Sequence, residues 1–177
     1  MLKTGVFFPL NSRLGKVYSL YEYKDCIVEL IHLFKYQKRW EVIDFLLSGD
    51  LIKLGHYDFI IPVPLHHVRL RERGRNQSEI ISRRLRKFTG IPIITRGIKR
   101  VRYTRLQAFL NKEDRVENVR GAFKVKNPRR FEGKRILLVD DVYTTGSTMD
   151  NLARAFKGYP SVIDGLVIAS SKVVAAE

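Results

Sequence analysis

The sequence predicts an α/β fold: a twisted, mainly parallel sheet with helices on both faces. Three observations carry this. After its first residue the run RILLV (135–139) is wholly apolar, as in a strand covered on both sides. A helical pattern over 147–157, closed by Gly158, and a second apolar run, SVIDGLVIAS (161–170), come directly after it. Upstream, DFIIPVPL (58–65) and NQSEIISRRLRKFTG (76–90) repeat the strand-then-helix order that builds parallel sheets.

The elements are taken in chain order. Ile27, Leu30, Ile31 and Phe34 recur at helical spacing, and Val42, Phe45 and Leu46 continue the pattern after Arg39. Two helices therefore precede the core, giving an N-terminal helical hood segment (1–55) and a core (56–177) within one compact domain. The strand at 58–65 is ended by prolines. The helix at 76–90 takes Asn76 or Ser78 as its cap and Gly90 as its stop, with Ile80, Ile81, Leu85 and Phe88 as its apolar face. Short strands are expected at 91–95, 97–101 and 121–125. The last two flank a charged stretch, Arg102 to Arg120, that reads as a long mobile loop.

With 177 residues, 45% of them hydrophobic, the chain can bury one good core. Its single cysteine, Cys26, forms neither an intrachain disulfide nor a cysteine zinc site, which makes the cytoplasm the expected location. GVFFPL near the start is too short for a signal-peptide core, and no apolar run approaches the roughly 20 residues of a membrane span, so membrane insertion is not expected. Lys and Arg number 33 against 18 Asp and Glu, a formal charge of +15. Residues 61–135 hold 22 basic and 6 acidic side chains and so account for the whole excess. Such a concentration attracts phosphorylated metabolites, nucleic acids or anionic lipid surfaces, with a plain solvated basic surface as the alternative.

In ILLVDDVYTTGST, Asp140 and Asp141 stand where a parallel strand emerges at its ligand side. Residues 144–148 form the turn into the next helix. Gly146 lets the backbone approach a ligand, and Thr144, Thr145, Ser147 and Thr148 offer hydroxyls beside the positive end of that helix, a cradle for phosphate. Carboxylates repel phosphate. They suit sugar hydroxyls instead, directly or with Mg²⁺ nearby, so a ribose 5-phosphate unit fits. A nucleotide-hydrolase strand would need a G-x-x-x-x-G-K-[ST] loop, which the chain lacks. Ordinary helix capping would account for one such hydroxyl residue better than for four around a glycine.

This stretch closely resembles the ribose-phosphate signature of type I phosphoribosyltransferases, whose shared ligand is phosphoribosyl pyrophosphate (PRPP). The resemblance implies that fold, with Asp140 and Asp141 on the ribose hydroxyls and Thr144, Thr145, Gly146, Ser147 and Thr148 on the 5′-phosphate. YEYKDCIVELIHLFKYQKR (21–39), IIPVPLHHVRLRERGRNQS (60–78) and RYTRLQAFLNKEDRVENVRGAFKV (102–125) narrow it to the ComF family of competence-associated phosphoribosyltransferase-like proteins. The family's cysteine-rich zinc module has no counterpart ahead of the first matching helix, and Arg75 stands where an aromatic residue is expected.

The resemblance also assigns pyrophosphate to the loop after the first core strand, Pro64 through Arg75. Arg69, Arg71 and Arg73 alternate there, and extended backbone would send all three to one side. His66 and His67 are acid–base candidates, although loop histidines are usually only polar surface. Arg102, Arg105, Gln107 and Arg115 belong to the segment that would close over substrate, with a plain surface loop as the alternative, and Lys35 and Tyr36 would face the site from the hood, with core or surface packing as the alternative. The family resemblance thus implies a PRPP-binding protein, with substrate-borne Mg²⁺, that assists single-stranded DNA uptake alongside the uptake machinery. The alternative is an active transferase passing ribose 5-phosphate to a nucleobase or another nitrogen nucleophile, its Mg²⁺, N–H groups and arginines stabilising the departing pyrophosphate.

Overall fold

A computed structural model describes residues 5–47, 54–102 and 121–172. Its main sheet has five strands: β1 (Gly5–Phe7), β2 (Val17–Glu22), β3 (Phe59–Pro62), β6 (Arg135–Tyr143) and β7 (Val162–Ser170). They lie in the order β1-β2-β7-β6-β3, and only the β1–β2 edge pair is antiparallel. The α/β class expected from the sequence is what the chain adopts. A separate antiparallel pair, β4 (Ile98–Arg100) and β5 (Phe123–Val125), lies outside this sheet.

Alternation along β6 explains the layering. Ile136 and Leu138 point into one apolar cluster, Leu137 and Val139 into another. The first cluster is closed by α5 (Ser147–Ala155), a 3₁₀ turn (Pro128–Phe131) and the β4–β5 pair, through Leu152, Phe131 and Phe123. The second is closed by α1 (Asp25–Tyr36), α2 (Val42–Leu46) and α4 (Gln77–Thr89), through Phe34, Ile43 and Ile81. Both faces of the parallel strands are thus shielded, as uninterrupted apolar runs require.

Several expectations are corrected. The segment 1–55 is not simply a helical hood: residues 5–7 and 17–22 are sheet strands, and α1 and α2 share one apolar cluster with α4. The sequence over 17–22 carries neither an unbroken apolar run nor clean alternation, because Ser19 and Glu22 interrupt it. Residues 91–95 form no strand beyond an isolated Ile60–Ile93 bridge. Phe88, assigned to the buried face of α4, is 65% exposed and lies in the last turn of that helix. Asn76 does cap α4, accepting from the Ser78 N–H at 3.1 Å, and Gly90 closes it in the left-handed conformation. No helix among the described residues is long and apolar enough to cross a membrane.

Away from the carboxyl ends of the strands, Asp164 of β7 is buried and accepts from the Tyr57 hydroxyl at 2.6 Å and the Lys16 N–H at 2.9 Å. Burial first, then this carboxylate, pushes the Tyr57 phenol well above its ordinary value, so it stays a donor. Asp164→Ala leaves both donors without an acceptor and is expected to lower the unfolding free energy by about 3 kcal/mol. Asp164→Asn should cost less. Urea denaturation of the two variants checks the ordering.

Candidate functional site

At the carboxyl end of the sheet, β6 runs through both acids instead of stopping before them. Asp140 pairs in register with Val167 and Tyr143 with Ser170. The acids therefore sit on rigid strand backbone, and the chain turns only at Thr144–Gly146 to enter α5.

Asp140 Oδ1 accepts from the Ser78 hydroxyl at 2.8 Å and from the Asp141 N–H at 3.0 Å. Ser78 is held by its neighbour: Asn76 caps α4 with its Oδ1 and donates through Nδ2 to the Val63 carbonyl at 3.0 Å. Asp141 Oδ1 lies 3.0 Å from Lys35 Nζ, with side-chain exposures of only 11% and 17%. Burial pushes the Asp140 carboxyl up, the Asp141 charge pushes it further, to about 7, and the Ser78 bond opposes them. Burial favours neutral Lys35, but Asp141 and then Asp140 outweigh it and hold the ammonium above its ordinary value. Lys35 thus pairs directly with Asp141 and bears on Asp140 as well.

The turn after β6 closes around a cavity of about 30 Å³ lined by Asp140, Tyr143 and residues 144–149. Thr145 Oγ1 and Ser147 Oγ are 2.8 Å apart, and the Ser147 N–H points to Thr145 Oγ1 at 3.4 Å. Gly146 has φ +78°, and a Cβ there would fall 2.0 Å from the Tyr143 hydroxyl. Only glycine meets both conditions. The cavity, the hydroxyls and the first turn of α5 form one polar concavity beside the acids, suited to an anionic oxygen group.

The arginine loop differs from expectation. Residues 67–73 are helix α3 (His67–Arg73), not extended chain, because the His66 side chain accepts from the Val68 N–H and Gly74, at φ +77°, ends the helix. Arg69 and Arg73, four apart, share a face and Arg71 does not. Arg73 Nη1 donates to Gln77 Oε1 at 3.3 Å, its guanidinium stacks 5.5 Å from the Tyr36 ring centroid, and its charge reaches Lys35. Arg69 pairs with Glu72 at 3.2 Å and bears on Arg100. Arg100, from β4, is the cation that sequence reasoning missed. Burial lowers it, the Asp140 charge opposes that shift and the Arg69 charge adds to it. Its only sequence signal is membership in a basic run.

His66 caps α3, and burial, then His67, Arg100 and Arg71, keep it below its ordinary value. That favours a structural role. Arg102 is exposed at the end of β4, while Arg105, Gln107 and Arg115 lie outside the described residues. Arg75 reaches the Trp40 ring, 6.0 Å from its centroid, and so ties the loop after α3 to the turn that precedes α2.

Comparison with known proteins adds relatives. Competence protein F of Haemophilus influenzae is 39% identical over 99 residues, which cover 55% of this chain and 43% of that protein. The DNA utilization protein YhgH of Escherichia coli K12 is 30% identical over 148 residues, 78% of this chain and 64% of the relative. Competence protein ComFC of Bacillus subtilis is 28% identical over 160 residues, 86% of this chain and 63% of the relative. The chain is similar to these ComF-type proteins over most of its length. It spans less than two thirds of each of these ComF-type relatives. No protein-family profile matches it. Among solved structures, a glutamine PRPP amidotransferase from B. subtilis with ADP and GMP aligns over 75% of this chain and 26% of its own, at 19% identity and TM-score 0.45. An allosteric regulatory enzyme of purine biosynthesis aligns at 20% identity and TM-score 0.43, over 75% of this chain and 25% of its own.

Gly146→Ala is expected to cost at least 1 to 3 kcal/mol and to lower the thermal midpoint, because φ and contact are violated together. For Asp140 the unfolded value lies near 4. Between about pH 4 and 7 the folded chain then holds more protons than the unfolded one, so this group's contribution to stability falls as pH rises. Asp140→Asn should match the parent near pH 4 and unfold at higher temperature than the parent at pH 8, as thermal melts across pH will read.

Proposed function

We propose that this chain is a ComF-type protein that binds PRPP through the β6–α5 turn and handles single-stranded DNA in the cytoplasm, assisting its uptake. The observation that carries the reading is the juxtaposition of two strand-borne carboxylates with a polar concavity at a helix N-terminus. Vicinal ribose hydroxyls would replace the Ser78 and Lys35 contacts on Asp140 and Asp141. The 5′-phosphate would sit on Thr144, Thr145, Gly146, Ser147 and Thr148, receiving their N–H and hydroxyl groups. The diphosphate would meet Arg73, whose charge bears on Lys35, Arg100, whose charge interacts with Asp140, and Arg69, whose charge bears on Arg100. Arg71 is on another face of α3 and would contribute at longer range. Mg²⁺ would arrive on the diphosphate as part of the ligand.

DNA handling draws support from the names of the relatives and from the +16 charge of residues 61–135, which exceeds what one diphosphate needs. The reading is tested by calorimetric titration of PRPP with Mg²⁺ into the parent and Asp141→Asn. A loss of at least tenfold in affinity, about 1.4 kcal/mol, is expected in the variant. Equal affinity in both would contradict it. In parallel, labelled single strands should bind the parent with an affinity that falls linearly in log salt.

A further inference from the structure

A second and much larger concave surface lies away from the carboxylate pair. It is a groove of about 590 Å³ between the β4–β5 pair and the last turn of α5. Its apolar lining comes from Val101, Phe123, Val125 and Ala155. Lys99, Lys124, Lys126 and Lys157 also line the groove, and among the described residues no acidic side chain does. Arg154, also at the rim, is neutralised by Asp150 at 2.7 Å. Among the described residues none of the four lysines has a carboxylate within ion-pair distance.

The β4–β5 register makes this arrangement informative. Lys99 lies directly opposite Lys124 in the antiparallel pair, and Lys126 comes two residues on, on the same face. Directly opposed like charges destabilise a ribbon, so stability alone does not favour them. An anion lying along the ribbon reverses the sign of that interaction. Residues two apart on a strand are separated by about 7 Å, so the ammonium groups form a row and not a cluster around one point. A row suits a chain of phosphates better than one small anion. Lysines supply point charges without the fork that selects one planar partner, which fits contacts that ignore base sequence. Phe123 and Val125 alternate with these lysines and turn to the core side of the ribbon, so the exposed apolar side chain on the lysine face is Val101.

We infer that this groove is the track for single-stranded nucleic acid, with Lys99, Lys124, Lys126 and Lys157 on the phosphates and exposed Val101 beside the bases. The inference rests on the DNA-handling part of the proposed function and assigns it a surface distinct from the ribose-phosphate site. Ser147 opens α5 and Ala155 ends it, so the phosphate turn and the groove lie about 12 Å apart along one helix. β4 also separates them: Arg100 bears on Asp140, while its neighbour Lys99 lines the groove. Strand and PRPP therefore bind together without competing for the same groups.

The test is fluorescence anisotropy of labelled oligothymidylate across a salt series, using the full chain, Lys124→Glu/Lys126→Glu, and a control with the same charge change on exposed α4 residues, Arg86→Glu/Lys87→Glu. Calorimetry of PRPP is run on all three. The groove variant replaces one of two facing lysines with an acid, so it should fold; Lys124→Gln/Lys126→Gln provides a milder second variant. The expected result is at least a tenfold loss of single-strand affinity in the Glu variant, a smaller loss in the Gln variant and a log-salt slope shallower by about 1.4. The α4 control should stay within about twofold, and PRPP affinity should be unchanged throughout. Equal loss in groove variant and control would overturn the assignment in favour of bulk charge. Retained DNA affinity in the groove variant would place the strand elsewhere and leave the proposed function standing. A parent that binds PRPP but no single strand would overturn both the groove and the DNA-handling reading. Displacement of the oligonucleotide by polyglutamate as effective as by unlabelled strand would give the groove to an acidic protein segment instead.

Discussion

Two adjacent carboxylates held out of water at the end of a buried strand are the constraint around which this chain is organised. Neither acid can be fully charged there without compensation. The compensation comes from three separate parts of the chain: Lys35 from α1, Ser78 from the first turn of α4, and the strand's own N–H at Asp141. Each fixes an element that also builds the core, so the site and the fold share one set of restraints. The position of α1 against the second sheet face, through Ile31 and Phe34, is what delivers Lys35 to Asp141.

The same geometry produces a local alternation of charge. Acids lie on the strand, a polar turn comes after them, and cations approach from α1, α3 and β4. On the proposed reading, a ligand with hydroxyls at one end and anionic oxygens at the other would meet complementary groups along its length. A simple dianion would meet the carboxylates as well and be repelled. Selectivity of this kind follows from order along the site and not from any single residue.

Much of this was legible in the sequence, for reasons that particular residues make clear. The strand at 135–139 declares itself because burial on both faces permits no polar position. α4 declares both ends, through Asn76 and Gly90. The carboxylates and the glycine turn were readable because their chemistry is local in sequence. α3 was not, since arginines at 69, 71 and 73 mimic a strand's period of two while the deciding groups, the His66 cap and Gly74, lie at the ends. Asp140 and Asp141 looked like a strand terminus because acids rarely continue a buried strand. They do so here only because Lys35 and Ser78, distant in sequence, come to meet them. Arg100 gave no local signal at all.

The central claim is that the acids read sugar hydroxyls while the β6–α5 turn holds phosphate. Amide chemical shifts during parallel titrations of ribose 5-phosphate and 2-deoxyribose 5-phosphate test it most directly. The account expects both ligands to move the amides of 144–148, with the deoxy sugar binding at least tenfold more weakly through loss of one hydroxyl contact. Equal affinity for the two sugars, or shifts confined to residues away from the turn, would contradict it.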